Sequence, residues 1–281
     1  MPNYKRQSIL CPNCKKLISI SEVKCPYCGT ARPAAWWKNN IWTRGFNNPY
    51  LLVKSIIGIN VVIYVISLLL NPRGFGIGLN PLTFLSPSGR ILDLLGATGK
   101  VPIDMYHRFW TLLAANYLHG SILHIFFNMF ALWQLGLMAA REYGAYRMFI
   151  IYTLGGIFGY FVSYLASVSW TIGASASVCS LAGALIYYGK SRGGVYGRAI
   201  YKQIGVWLIF IFIFGLLVPM INNWAHGGGI AAGFGLGYLL GYQERKKETV
   251  LHKLLSGGLA ALTLLILAYA VLSGIYYRLI I

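Results

Sequence analysis

The sequence predicts an all-α polytopic membrane protein with a small cysteine-bearing module ahead of its spans. Three observations lead there. The 281 residues are 57% hydrophobic and 11% charged, with a mean hydropathy of +0.61, a balance typical of integral membrane proteins rather than soluble domains. Seven apolar stretches follow one another near 51–70, 110–139, 146–168, 173–189, 204–220, 226–242 and 255–277, each close to the ~20 residues of a spanning helix. Ahead of them lie two Cys-x-x-Cys pairs in a polar region.

Residues 1–31 form the first unit. Cys11-Pro12-Asn13-Cys14 and Cys25-Pro26-Tyr27-Cys28-Gly29 are knuckles whose spacing lets both sulfurs of each pair reach one tetrahedral ion. Zinc is the expected ion, giving a zinc-ribbon-like module, with thiolate-bound iron as the alternative. A disulfide or redox reading suits matched knuckles on a cytoplasmic segment less well. So short a module cannot bury an adequate core, so the metal is expected to supply its folding energy. A cytoplasmic partner for it is open. Residues 32–50 carry Trp36, Trp37 and Trp42 among basic residues and read as an interfacial linker into the first span. The polar first fifty residues contain no apolar run of the kind a cleavable signal peptide has.

Charge assigns the sides. The net charge of +18 sits in loops and ends, which fits cytoplasm-facing segments better than nucleic-acid binding, because no continuous basic face exists. Arg141 and Arg147, then Lys190, Arg192, Arg198 and Lys202, then Arg245, Lys246, Lys247 and Lys253 mark loops expected in the cytoplasm together with the N-terminus, in the cell membrane. The loops 169–172 and 219–225 carry no charge, and the mixed 71–109 loop, with Arg73, Arg90, Lys100 and Arg108 against Asp93 and Asp104, reads as external and partly membrane-embedded.

Four polar side chains then share one depth. Ser175, His226, Asn128 and His124 lie 13 to 18 residues from the basic or acidic residue that closes their helices, or roughly 20–27 Å at the helical rise, within a core about 30 Å thick. Singly, such a serine bonds its own backbone and such a histidine bridges helices; together they suggest a nucleophile, Ser175, and its base, His226. Gly229, Gly233, Gly237 and Gly241 recur every fourth residue after His226, and Gly173, Ala176, Ser177, Ser180, Gly183 and Ala184 line the fourth span, so the two helices can approach backbone to backbone. The six acids, Glu22, Asp93, Asp104, Glu142, Glu244 and Glu248, lie outside the spans or at their edges. Paired intramembrane carboxylates, a His-Glu-x-x-His metal site and the usual proton carriers are therefore missing, which leaves a serine–histidine dyad and makes a transporter a distant reading.

These residues resemble the rhomboid intramembrane serine proteases. Gly173-Ala174-Ser175-Ala176 is similar to the family's nucleophile motif, Ala225-His226-Gly227-Gly228-Gly229 to its sixth helix, and His119 with His124-Ile125-Phe126-Phe127-Asn128 to its second. Arg141-Glu142-Tyr143-Gly144 looks like the turn before its third. The resemblance implies a six-helix core over 51–242, with 243–281 adding a cytoplasmic loop and a seventh helix. It implies a serine endopeptidase that cleaves transmembrane segments of membrane proteins with no catalytic cofactor. Ser175 attacks the peptide carbonyl, His226 moves the proton, and His124, Asn128 and the Ser175 N–H hold the oxyanion. Three positions depart from the pattern: Ala176 replaces a glycine and is expected to narrow the oxyanion pocket by a methyl, Cys179 replaces an aromatic that packs on the histidine, and Trp110-Thr111 lacks an arginine that Arg108 only neighbours. The alternative is an inactive rhomboid-like protein that binds transmembrane helices.

Overall fold

The structure, a computed structural model, describes residues 7–14, 16–39, 48–71, 83–218 and 221–280. Trp42 of the expected linker anchor, Arg73 of the long loop, residues 219–220 of an uncharged loop and the Trp37 side chain lie outside them. The chain divides into two compact units, Met1–Leu52 and Val53–Ile281.

In the first unit β1 (Ser8–Leu10) and β2 (Leu17–Ser19) pair antiparallel, with Ser8 opposite Ser19, Ile9 opposite Ile18 and Leu10 opposite Leu17. Alternation sends Ile18 inward against Cys11 and Cys25, with Ile9 and Cys14 packed alongside. The two knuckles repeat one backbone device: Cys11 N–H donates to the Lys16 carbonyl and Cys25 N–H to that of Thr30, both at 2.9 Å. Gly29, at φ +71°, makes the second turn's left-handed step. The short α1 (Trp36–Asn39) follows, and Trp36 is exposed.

The second unit is a helical bundle. Most of α2 (Pro49–Leu69) belongs to it, the first turn falling before the boundary at Val53; the helix starts on Asn48, whose side-chain oxygen accepts the N–H of Tyr50 at 3.1 Å, with Pro49 at the first helical position. The region 83–121 folds into short pieces: α3 (Gly89–Leu94), α4 (Lys100–Tyr106), α5 (Thr111–Ala114) and a 3-10 turn (Ala115–Tyr117). The apolar stretch 110–139 is thus not one span. It breaks at 118–121, and α6 (Ile122–Tyr143) begins where the Ser121 hydroxyl accepts the His124 N–H. Hydropathy misses this break because Leu118-His119-Gly120-Ser121 is only four residues long and is averaged with the apolar residues on either side. Then come α7 (Ala145–Leu165), α8 (Ser175–Arg192), α9 (Gly194–Leu217), α10 (Asn223–Leu240) and α11 (Val250–Ile280).

Five helices, α2, α6, α7, α9 and α11, are long and apolar enough to cross a membrane by themselves, and the chain is a multi-pass membrane protein. The shorter α8 and α10 are rich in Gly, Ala and Ser, and α8 is the hub, packed against α6, α7, α9 and α10. Backbone contact makes this possible. A Cβ on Gly183 would strike the Ile230 carbonyl, one on Gly229 the Ala176 carbonyl and one on Gly233 the Ser180 carbonyl. Small side chains here replace the hydrophobic force that lipid does not supply.

Charge at one end of the bundle is less solvated than its sequence position suggests. Arg147 is fully buried in α7 rather than a loop charge. Its guanidinium donates to the carbonyls of Leu240 and Gly241, at 3.3 and 2.7 Å, and to that of Tyr143. A cation thereby caps the C-terminus of α10, where the helix leaves carbonyls unpaired and its dipole is negative. Glu142, also buried, accepts the Tyr196 hydroxyl at 2.8 Å. Arg192 forks onto Glu244 at 2.9 and 3.1 Å.

Candidate active site

Ser175 is the first residue of α8, so its N–H has no partner within the helix and points to the positive end of the dipole. Gly173, at φ +124°, turns the chain into that helix. Its conformation is held at both ends: the Gly173 N–H donates to the Ala115 carbonyl at 2.9 Å, and its carbonyl accepts the hydroxyl of buried Tyr160. The missing side chain leaves room. A Cβ on Gly173 would lie 2.7 Å from His124 Nε2 and 3.7 Å from Ser175 Oγ, so imidazole and hydroxyl converge over this residue.

The tautomer of His124 follows from its other nitrogen. His124 Nδ1 accepts the Gly120 N–H at 3.3 Å, which leaves the neutral ring's proton on Nε2, the atom that faces Gly173 and Ser175. Asn128, one turn on, is buried and donates one amide N–H to the His124 carbonyl at 2.9 Å, keeping its second N–H for other use. His119 is fully buried, and its ring meets that of His124 edge to face at 5.1 Å.

His226 sits in the first turn of α10 and is buried. Ala176 and Ala225 belong to one buried cluster with Ala115 and Tyr160, so Ser175 and His226, the neighbours of those two alanines, leave α8 and α10 at the same level. Nδ1 of His226 is buried with no hydrogen-bond partner among the described residues, so no carboxylate orients the ring and packing must. Cys179, fully buried, lies one helical turn below Ser175.

The start of α10 is set by a residue that sequence reasoning missed. Asn222 caps the helix by accepting the Ala225 N–H at 3.1 Å, and its amide nitrogen donates to Ser163 Oγ at 2.6 Å and Thr171 Oγ1 at 3.0 Å. An Asn just before a small-residue helix is a readable cap signal; its two distant partners are not readable. Thr171 is in turn paired by backbone hydrogen bonds to Thr98, at 3.1 and 2.7 Å. Tyr164 donates to Asp104 at 2.9 Å, and Arg108 reaches Asp93 at 3.3 Å, so the short helices are stitched to the α7–α8 connection above Ser175. Arg108 thereby braces α3.

Ala176 is fully buried, and its methyl faces Gly159 of α7, where a built Cβ would stand 3.1 Å away. The glycine opposite makes room for the methyl in the α7–α8 packing.

The four cysteines form a second candidate site. Their sulfurs all lie within 4.8 Å of one another, with Cys11–Cys28 at 3.7 Å and Cys14–Cys25 at 3.6 Å. A tetrahedral ion with bonds of about 2.3 Å sets its sulfurs about 3.8 Å apart, so the set fits one metal ion. Cys28 is pulled down to about 5 by hydrogen bonding to Thr30, while burial and the neighbouring thiols hold Cys14 up at about 11.

Comparison with known proteins places this geometry. The family model of the rhomboid domain matches residues 106–243. RHOMBOID-like protein 4 of Arabidopsis thaliana is 32% identical over 163 residues, covering 57% of this chain and 41% of that protein. Rhomboid protease GluP of Bacillus subtilis (strain 168) is 38% identical over 125 residues, 44% of this chain and 25% of its own. Inactive RHOMBOID-like protein 8 of Arabidopsis thaliana is 29% identical over 154 residues, 53% and 43% of the two chains. The match thus spans less than half the length of each of these relatives. Every helix that converges on Gly173 lies within residues 106–243, the stretch over which this chain carries a rhomboid domain.

Proposed function

We propose that this protein is an intramembrane serine endopeptidase that cleaves transmembrane segments of membrane proteins. The observation that carries the reading is the convergence of His124 Nε2 and Ser175 Oγ over Gly173, at the open N-terminus of α8. Ser175 Oγ attacks the peptide carbonyl while His226 takes the hydroxyl proton, then returns it to the leaving amine. The His124 Nε2–H, the free amide N–H of Asn128 and the Ser175 N–H stabilise the oxyanion, and donors of this kind are strongest where water is scarce. A substrate helix must unwind there, because an intact one hides its carbonyls. His226 works without a carboxylate, as its unpartnered Nδ1 requires.

The reading extends to topology and metal. The basic ends of α6, α8 and α10 face the cytoplasm with the N-terminus, in the cell membrane. Cys11, Cys14, Cys25 and Cys28 hold a structural zinc ion, which supplies folding energy rather than chemistry. A fluorophosphonate probe tests the nucleophile: wild-type protein in lipid is labelled at Ser175, and labelling is lost in His226→Ala. Absence of labelling in wild type, with a transmembrane helix still bound, is the result expected of an inactive helix-binding protein.

A further inference from the structure

The outer face of the N-terminal hairpin is apolar. Leu10 and Leu17 are the cross-strand pair nearest the first knuckle, and alternation points them away from Ile9 and Ile18, which pack towards Cys11 and Cys25. Leu10 is 59% exposed and Leu17 63%. Tyr27, in the second knuckle, is 58% exposed, and Lys16 Nζ lies 4.5 Å from the centre of its ring. Lys16 immediately precedes Leu17, so one patch of two leucines, a lysine and a tyrosine runs across both knuckles. The cysteine cluster draws those knuckles together, so the patch belongs to the folded module and not to either knuckle alone.

We propose that this module docks on the surface of the bilayer, with Leu10, Leu17 and Tyr27 entering the interface of anionic lipid and Lys16 and Lys24 meeting its headgroups. Such a mixture suits that depth: tyrosine and leucine bury apolar surface there, while lysine carries its charge out along an apolar stem. Charge favours a lipid surface of negative sign. Residues 1–50 carry eight Lys and Arg against one acid, Glu22, an excess that outweighs the dianion made by one zinc ion and four thiolates. Attachment favours lipid over a protein partner. Eight residues, 40–47, separate α1 from Asn48 at the head of α2, and a chain of that length spans at most about 30 Å, so the leaflet that the N-terminus faces is always within reach.

Docking requires that the chain span a membrane and is indifferent to proteolysis, so Ser175→Ala protein serves throughout. Full-length protein with a benzophenone side chain in place of Tyr27 is reconstituted in nanodiscs of phosphatidylcholine, alone or with about 30% phosphatidylglycerol. Lipid adducts should rise about fivefold or more with the anionic lipid. They should return to the neutral-bilayer level in Lys16→Glu/Lys24→Glu protein, in Leu10→Ser/Leu17→Ser protein and at about 1 M salt, where charges are screened within about 3 Å. Metal analysis of both variants separates lost docking from an unfolded module, and the salt arm needs no variant. Equal yields in the two bilayers, a rise that persists at high salt or in a metal-loaded double variant, or adducts to another copy of this chain in place of lipid would each overturn the proposal.

Discussion

His124 shows how one hydrogen bond sets a chemical role. Because Nδ1 accepts the Gly120 N–H, Nε2 is a donor, and it faces the space where charge would develop beside Ser175. His124→Ala should lower kcat about 10²–10³-fold, some 3–4 kcal/mol, and leave KM within about twofold. Steady-state kinetics checks this; a raised KM with kcat intact would make His124 a binding residue instead. Ser175, His226, His124 and Asn128 stand out as candidates in the sequence because polar groups in apolar runs are rare. The part of Gly173 was not, since what matters there is a positive φ and an empty Cβ position, which composition does not reveal.

At the scale of elements, the α8–α10 seam holds the first turns of both helices together. A methyl at Gly233 would collide with the Ser180 carbonyl, whereas one at Gly235 meets open space. Gly233→Ala should therefore cost about 1–3 kcal/mol or more, and Gly235→Ala should be neutral or slightly stabilising. Thermal unfolding of the two variants in detergent checks the contrast, and equal effects would refute the seam. Asn222→Ala removes a cap, one bond to Ser163 of α7 and one to Thr171 of the α7–α8 connection. It should cost about 1 kcal/mol of stability and lower kcat by more than that loss explains, because the cap sets the first turn of α10, which carries His226. Spacing every fourth residue made the seam readable in advance. The break at 118–121 and the burial of Arg147 were less so: the first is four residues long and is averaged away between two apolar stretches, and the second depends on where α10 ends.

Across the whole molecule, two units are stabilised by different means. The helical unit relies on close packing and buried polar bonds, among them the Arg147 cap on α10. The N-terminal unit has a core of little more than Cys11, Ile18 and Cys25, too small to fold unaided. Metal analysis should find one zinc per chain, and Cys14→Ser or a strong chelator should unfold the N-terminal unit without lowering the melting temperature of the bundle. Absence of metal with all four thiols reduced would contradict this. Paired Cys-x-x-Cys knuckles made that site legible from spacing alone, while the packing around His226, whose Nδ1 has no hydrogen-bond partner among the described residues, emerges only in three dimensions. The most direct test of the central claim is cleavage of a single-span substrate by purified protein in lipid, comparing wild type with Ser175→Ala and His226→Ala. Cleavage by wild type that falls at least about 10³-fold in both variants is the predicted result; cleavage that survives either change, or a wild type that binds the substrate without cutting it, would contradict it.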